Sequence, residues 1–547
     1  MKKLLVTLIV SLVFSGSIFA QHPETHWPGF NLYAYETQGA LYASIMVFDE
    51  PVDVNYPDWD QLEVAAFVGD ELRMTAMFLT DEYVIEWGEL FPTLNAEPIY
   101  YTNPGEVVTF KMYNHATGVE YGECQALIWD GEENVTILTG EEHWEGFDDP
   151  DHPLMLNFSA PTFTKDIVGY GDPSNPAGYY LIASPLLNAV KPNGVINMTS
   201  NVFDLYYFNQ DVDDNLSWIN YKDEEGDFDP NFTLVPGKGY LYANSEDVTL
   251  TFVGTPYDGD GIINLDYVEG KTFTGWNLIG NPFNATAYLL GEIEEDYWDW
   301  IDFYILDGTE FRMATYEESY INPMCGVLVE ATADLQTVKF DIDSKTVKRR
   351  ALDMTLTQNS GNVMDVARLR FDNGRGLHKF QINPSSTKIY FTMDNEDYAV
   401  VNAPEMGEMP VNFKAENNGT YTMNFTGMEV NFNYLHLIDN MTGADVDLLV
   451  NPSYSFDATT SDYASRFKLV FATGNNSDDN FAFFNNGNFI ISNDGEAVLQ
   501  VVDVTGRILN SNTINGSASV NVNAAPGVYM LRLINGDNVK VQKVVVE

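Results

Sequence analysis

The chain has 547 residues, of which 14% are aromatic, and a formal net charge of −53. That acidity excludes nucleic acid as a partner, because binding it requires a basic surface that releases counterions. The length suffices for three or four domains with sizeable cores. With only two cysteines, Cys124 and Cys325, those cores must rest on apolar packing, and number alone does not decide whether the two pair.

Lys2 and Lys3 precede an apolar run, Leu4 to Phe14, and a small-residue stretch, Ser15 to Ser17, that leads to Ala20. This is the layout of a cleavable secretion signal, so residues 1–20 are expected to leave and the mature chain to begin at Gln21. The apolar run is shorter than the roughly 20 residues a spanning helix needs. No second such segment follows, so no transmembrane anchor is expected.

Beyond the signal, short alternating runs rich in Tyr and Phe are separated by turn residues, and no long stretch has a 3.6-residue apolar period. The pattern predicts an all-β chain of several tandem β-sandwich-like domains. The first, residues 21–160, has alternating runs at Leu41 to Phe48, Leu62 to Phe67 and Val107 to Tyr113, with turns at Gly69-Asp70 and Asn103-Pro104-Gly105.

The second, residues 161–342, contains an internal duplication. Gly178-Tyr179-Tyr180-Leu181-Ile182-Ala183-Ser184-Pro185 echoes Gly275-Trp276-Asn277-Leu278-Ile279-Gly280-Asn281-Pro282. Phe203-Asp204-Leu205-Tyr206 echoes Ile301-Asp302-Phe303-Tyr304, and Gly239-Tyr240-Leu241 echoes Gly326-Val327-Leu328. The copies span about 178–255 and 275–342, and the longer first copy places its extra residues in the acidic stretch Asp211 to Asn231.

A basic linker, 343–350, holds Lys345 and Lys348-Arg349-Arg350. In so acidic a chain it is expected to lie against carboxylates rather than to stand open to proteases. A further sandwich is expected over 351–473, then a polar linker, 474–482, then a small Ig-like sandwich over 483–547. In that last unit, Ala497 to Leu509 turns near Thr505-Gly506. The runs Val528 to Ile534 and Val539 to Val546 meet at Asn535-Gly536-Asp537, where Asn-Gly favours the positive φ of a tight hairpin.

Motifs for catalysis are missing. The seven histidines, His22, His26, His115, His143, His152, His378 and His436, form no metal signature. His22-Pro23-Glu24-Thr25-His26 lacks the Glu that must directly follow the first His of a zinc-binding helix. There is no Gly-x-Ser-x-Gly elbow, phosphate loop or dinucleotide fingerprint. Asp148 to Asp151 between His143 and His152, Asp211 to Asn215, and Asp258-Gly259-Asp260-Gly261 supply carboxylates without full calcium-loop spacing. No cofactor is therefore expected beyond a weak, loop-ordering calcium. Paired carboxylates for glycoside hydrolysis are defined by spacing in the fold, so 80 acids leave that chemistry open.

Tyr297-Trp298-Asp299-Trp300 is the strongest binding signal. If extended, it puts Trp298 and Trp300 on one face, either as a sugar platform or packed into a core.

The chain end carries a more specific signal. Val502-Asp503-Val504-Thr505-Gly506-Arg507, Pro526-Gly527-Val528-Tyr529-Met530-Leu531-Arg532-Leu533 and Lys543-Val544-Val545-Val546 resemble the type A C-terminal sorting domain of the type IX secretion system. In that resemblance Asp503, Gly506, Arg507, Pro526, Gly527, Tyr529 and Lys543 are the motif residues. It implies export across the outer membrane of a Gram-negative bacterium, with the type IX machinery and its sorting-domain protease as partners. It also implies release, or attachment to surface lipopolysaccharide. Leu62 to Asp70 and Val108 to Gly118 resemble a β-sandwich module of large secreted proteins from the same bacteria. Ala367 to Phe371, Asp397 to Val401 and Leu435 to Gly443 resemble the domain that often precedes the sorting label. The reading is a non-catalytic secreted or cell-surface protein, adhesin-like or ligand-binding, with an unknown extracellular ligand. The alternatives are a glycan-binding or carbohydrate-active surface protein and a structural spacer or surface-layer component.

Overall fold

Alternation builds every unit of the molecule. In Val107–Asn114 each second side chain is buried, because successive residues of a strand point to opposite faces and only one face meets the core. The computed structural model describes residues 25–27, 37–53, 56, 58–77, 80–84, 89–101, 107–122, 126–129, 135–137, 154–170, 178–198, 202–212, 217–222, 229–294, 297–308, 310–333, 335–343, 349–358, 361–372, 374–474, 480–493 and 495–546. The expected secretion signal, His22, Cys124, His143, His152, Asp148 to Asp151, Lys345 and Lys348 lie outside the described residues. The architecture is all-β, with three short 3-10 turns among the described residues.

The first unit faces a five-stranded sheet against a six-stranded one. Leu154–Phe158 returns to pair in parallel with Thr37–Val47. The duplicated unit has two four-stranded sheets of identical order. In the first copy Tyr179–Ala183 pairs with Gly239–Asn244, which pairs with Phe203–Phe208 and then Trp218–Asn220; in the second Trp276–Gly280, Gly326–Glu330, Tyr304–Asp307 and Glu310–Met313 take those places.

Each copy also begins earlier than the sequence echo indicates. Thr162–Ile167 pairs with Val248–Val253, and Ile262–Asn264 pairs with Thr337–Asp341 in the same antiparallel sense. The two opening strands share no residue pattern, so the sequence echo does not reach them. The copies differ in spacing: nine residues of chain separate Phe203–Phe208 from Trp218–Asn220, and two separate Tyr304–Asp307 from Glu310–Met313.

The two copies meet backbone to backbone. Ala183 N–H donates to Met324 O at 3.2 Å and Gly280 N–H donates to Gly237 O at 3.0 Å. The glycines of the echo permit this approach: a Cβ on Gly239 would stand 2.6 Å from Ile279 O, and one on Gly280 would stand 2.3 Å from Ala183 Cβ.

The third unit is one long sheet, from Ala444–Asp447 at one end to Ser453–Ala458 at the other, folded around a single core. The last unit stacks a three-stranded sheet on a four-stranded one. Its core includes Phe481 and Ala482, so the sandwich starts inside the segment expected as linker. Gly474 is its only other described neighbour on that side before residue 480, since 475–479 lie outside the described residues. Of the basic linker, Arg349 is 4% exposed and bonded to Asp302, while Arg350 forms a two-pronged pair with Glu405 at 2.7 and 2.8 Å.

Candidate functional site

Ala287–Glu294 is the central strand of the five-stranded sheet in the second copy. Ala287 and Leu289 are fully buried, so alternation turns Tyr288, Leu290 and Glu292 to the opposite face. Register decides what joins them. On one side Tyr288 opposes Tyr320, Leu290 opposes Trp300, and Glu292 opposes Trp298. On the other, Tyr288 opposes Asp341 and Leu290 opposes Lys339, which in turn opposes Ile262. Trp298 and Trp300 therefore share the sheet face turned away from the core, on the edge strand Tyr297–Trp300.

Both indoles are half-buried. Trp300 meets Tyr288 edge to face, with centroids 4.8 Å apart and planes at 86°, the arrangement that ring quadrupoles favour. Tyr320 is 45% exposed. Lys339, flanked in register by Ile262 and Leu290, has a side chain with no hydrogen bond or ion pair to another described residue. Its stem can lie along those apolar neighbours while the ammonium stays in water.

Tyr320 also borders a cleft of about 560 Å³ between the two copies, with Lys165, Tyr179, Glu318, Asn322 and Cys325 on its walls. Cys325 is a free, half-buried thiol that accepts a contact from Lys165 Nζ at 3.1 Å. A second cavity, of about 460 Å³, separates the second copy from the third unit. Its charges are taken up internally: Lys379 Nζ bonds Asp365 at 2.7 Å, Ser386 Oγ donates to Glu310 at 2.8 Å, and Arg312 grips Glu318 through two 2.7 Å bonds.

Each described histidine has a carboxylate partner. His26 Nε2 lies 3.0 Å from Glu120, His115 Nε2 lies 2.6 Å from buried Glu63, His378 Nδ1 lies 2.5 Å from Glu330, and His436 Nδ1 lies 2.7 Å from Asp445. Hydrogen bonding to Glu330 raises the His378 pKa above its ordinary value against the effect of burial. Among the described residues no group of three or more His, Cys, Asp or Glu side chains is arranged to hold a metal. Asp258 and Asp260 are exposed, and Asp260 accepts the Ile262 N–H in a local turn.

In the C-terminal sandwich most motif residues have structural work. Asp503 ends Glu496–Asp503 and accepts the Thr505 hydroxyl at 2.6 Å, the Thr505 and Arg507 N–H groups, and Arg507 Nε at 3.0 Å. These bonds, the Thr505 hydroxyl foremost, lower its pKa to about 2. Gly506 takes φ +84° in that turn. Tyr529 Oη donates to Ala525 O at 2.8 Å, tying the strand Gly527–Asn535 to the Ala525-Pro526-Gly527 corner, a tyrosine-corner bond of the kind found in Ig-like sandwiches. Lys543 and its neighbours Val541 and Val545 project to solvent from Asn538–Val546.

Tyr288, Tyr320 and Lys339 were invisible as site residues in the sequence. They join Trp298 and Trp300 only through cross-strand register, and nothing local encodes that.

Comparison with known proteins locates the firmest likeness at the chain end: residues 485–547 match the family described as secretion system C-terminal sorting domain. The chain is an all-β type IX secretion cargo, and its place is outside the cell, at the surface or beyond it. No helix of the described residues is long and apolar enough to cross a membrane. The chain is also similar to a minor fimbrium subunit, Mfa5, of Porphyromonas gingivalis, with 24% identity over 369 residues. That alignment covers 56% of this chain and only 28% of the relative's length. Among solved structures, a biofilm-associated protein's BSP domain aligns at 8% identity over 96% of this chain and 98% of its own, with a TM-score of 0.13. The N-terminal eight Ig domains of Down Syndrome Cell Adhesion Molecule align at 8% identity over 93% and 86%, with a TM-score of 0.09. Overlaps this poor carry no argument.

Proposed function

We propose that this chain is a non-catalytic, adhesin-like surface protein that holds a glycan against the outward face of the second repeat. The observation that carries the reading is the row Trp298, Trp300, Tyr288 and Tyr320 on a sheet face opposite the core. Sugar C–H groups carry partial positive charge and suit the negative faces of such rings. The two indoles, alternate residues of one strand, stand roughly 7 Å apart along it. The likeness to a fimbrial subunit supports a surface role, and the sorting domain supports clipping by the type IX protease followed by release or attachment to lipopolysaccharide.

The test is binding of the full secreted chain to a glycan array, beside Trp298→Ala and Trp300→Ala variants of unchanged melting temperature. Each truncation is expected to weaken a genuine ligand about tenfold or more, as loss of a central aromatic contact does. Silence of the wild type on every glycan would leave the spacer or surface-layer reading in its place.

A further inference from the structure

We infer that the ligand of this face is an acidic glycan of low charge density, with a carboxylated sugar seated over Lys339. The inference rests on the glycan-platform reading and adds the ligand's charge. The outer face has a defined grid: Ile262, Lys339, Leu290 and Trp300 form one cross-strand row. Strands in a sheet are roughly 4.8 Å apart, which puts Lys339 about 10 Å from Trp300 across the face. A chain stacked along the tryptophans can therefore direct a neighbouring sugar to the lysine.

What sets Lys339 apart is its place on the aromatic face. Against 80 acidic residues the chain has only 27 Lys and Arg, and in the same unit Lys222, Lys271 and Arg312 each have a carboxylate partner. Lys339, like Lys238, has no carboxylate partner among the described residues, although Asp341 lies two residues along the same face. A half-buried lysine whose stem runs between two aliphatic side chains keeps its ammonium donors directed to solvent. One cation fits one carboxylate, whereas a densely sulfated chain would meet Asp341, Glu292 and the field of a strongly acidic protein.

The experiment uses the full chain and three soluble probes: a uronate-terminated oligosaccharide, the methyl ester of that same oligosaccharide, and a heavily sulfated one. Wild type is expected to prefer the acid over its ester by about threefold to fivefold, the scale of a solvent-exposed ion pair. The preference should shrink at high salt. Lys339→Gln should bind acid and ester alike at the ester's affinity, Lys339→Arg should restore the preference, and Trp300→Ala should weaken both probes together. Equal binding of acid and ester by wild type overturns this inference and leaves the platform standing. So does an unchanged preference in Lys339→Gln, or tightest binding to the sulfated probe. Failure of wild type to bind any probe, together with an empty glycan array, removes the platform and the inference with it.

Discussion

Asp302 occupies the place in the second copy that Asp204 holds in the first, and the two have opposite surroundings. Asp204 is half-exposed, with Lys222 3.9 Å away. Asp302 is buried and faces Arg349, Arg368 and Arg370. Burial alone would raise its pKa, but the three guanidinium groups outweigh it and hold the carboxyl well below the usual range. Arg368 is held in turn by Asp353. A second depressed carboxyl stands nearby: burial pushes Glu318 up, yet the bidentate Arg312 and the Thr315 cap bring it down to about 2. Its folded-state pKa therefore lies below the ordinary 4.5. The stability it lends is present above about pH 4.5 and is lost as pH falls toward 2. Melting temperature followed from pH 7 to pH 2 should drop steeply in that window for wild type and less steeply for Glu318→Gln, which starts lower at neutral pH. An identical acid slope in the variant would show that Glu318 is not among the groups responsible. The echo that relates Asp204 to Asp302 is plain in the sequence. Which aspartate would be buried was not, because the arginines arrive from the linker and the third unit.

At the scale of elements, what the sequence made legible was whatever local chemistry controls. Asn535-Gly536 does form the tight hairpin, with Gly536 at φ +58°, and the Thr505-Gly506 turn joins Glu496–Asp503 to Ile508–Asn515. The opening strand of each copy and the outward setting of the tryptophans needed pairing between distant segments, and register has no local sign. The echo glycines show both sides of this. They were visible as a repeat, but their reason lies in the contact between copies. Gly280 has no positive φ to require it; the space is simply filled by Ala183 Cβ and Lys238 O. Gly280→Ala is expected to force the copies apart and cost about 1–3 kcal/mol, the scale of overpacking a filled interior. Urea unfolding of the variant should show a lower midpoint with an unchanged slope. A midpoint equal to wild type would mean that the copies separate without penalty and that this seam does not hold the unit together.

The whole molecule divides by charge and couples by packing. Residues 485–547 contain five acidic and four basic side chains, so nearly all of the net −53 lies upstream of the sorting domain. That sandwich also has a core of its own. The upstream units add shared clusters to cores such as those of the second copy and the third unit: one apolar cluster joins the first unit to the first copy, through residues such as Phe110, Val119, Leu186 and Val253. Another joins both copies to the third unit. Phe380 is the centre of that second junction. It comes from the third unit, is 2% exposed, and has Phe208 of the first copy and Phe273, Trp276, Tyr304 and Phe311 of the second within 4.8–6.3 Å, centroid to centroid. Truncating a buried Phe costs about 3–5 kcal/mol, and here the cavity would open where three bodies meet. Phe380→Ala should therefore do more than lower stability. In calorimetry the duplicated and third units of wild type should unfold in one transition, and the variant should split it, because each body retains its own core while the aromatic plug between them is gone. A variant that melts earlier but still in a single step would mean that the buried ion cluster of Asp302 with its three arginines suffices to couple the units.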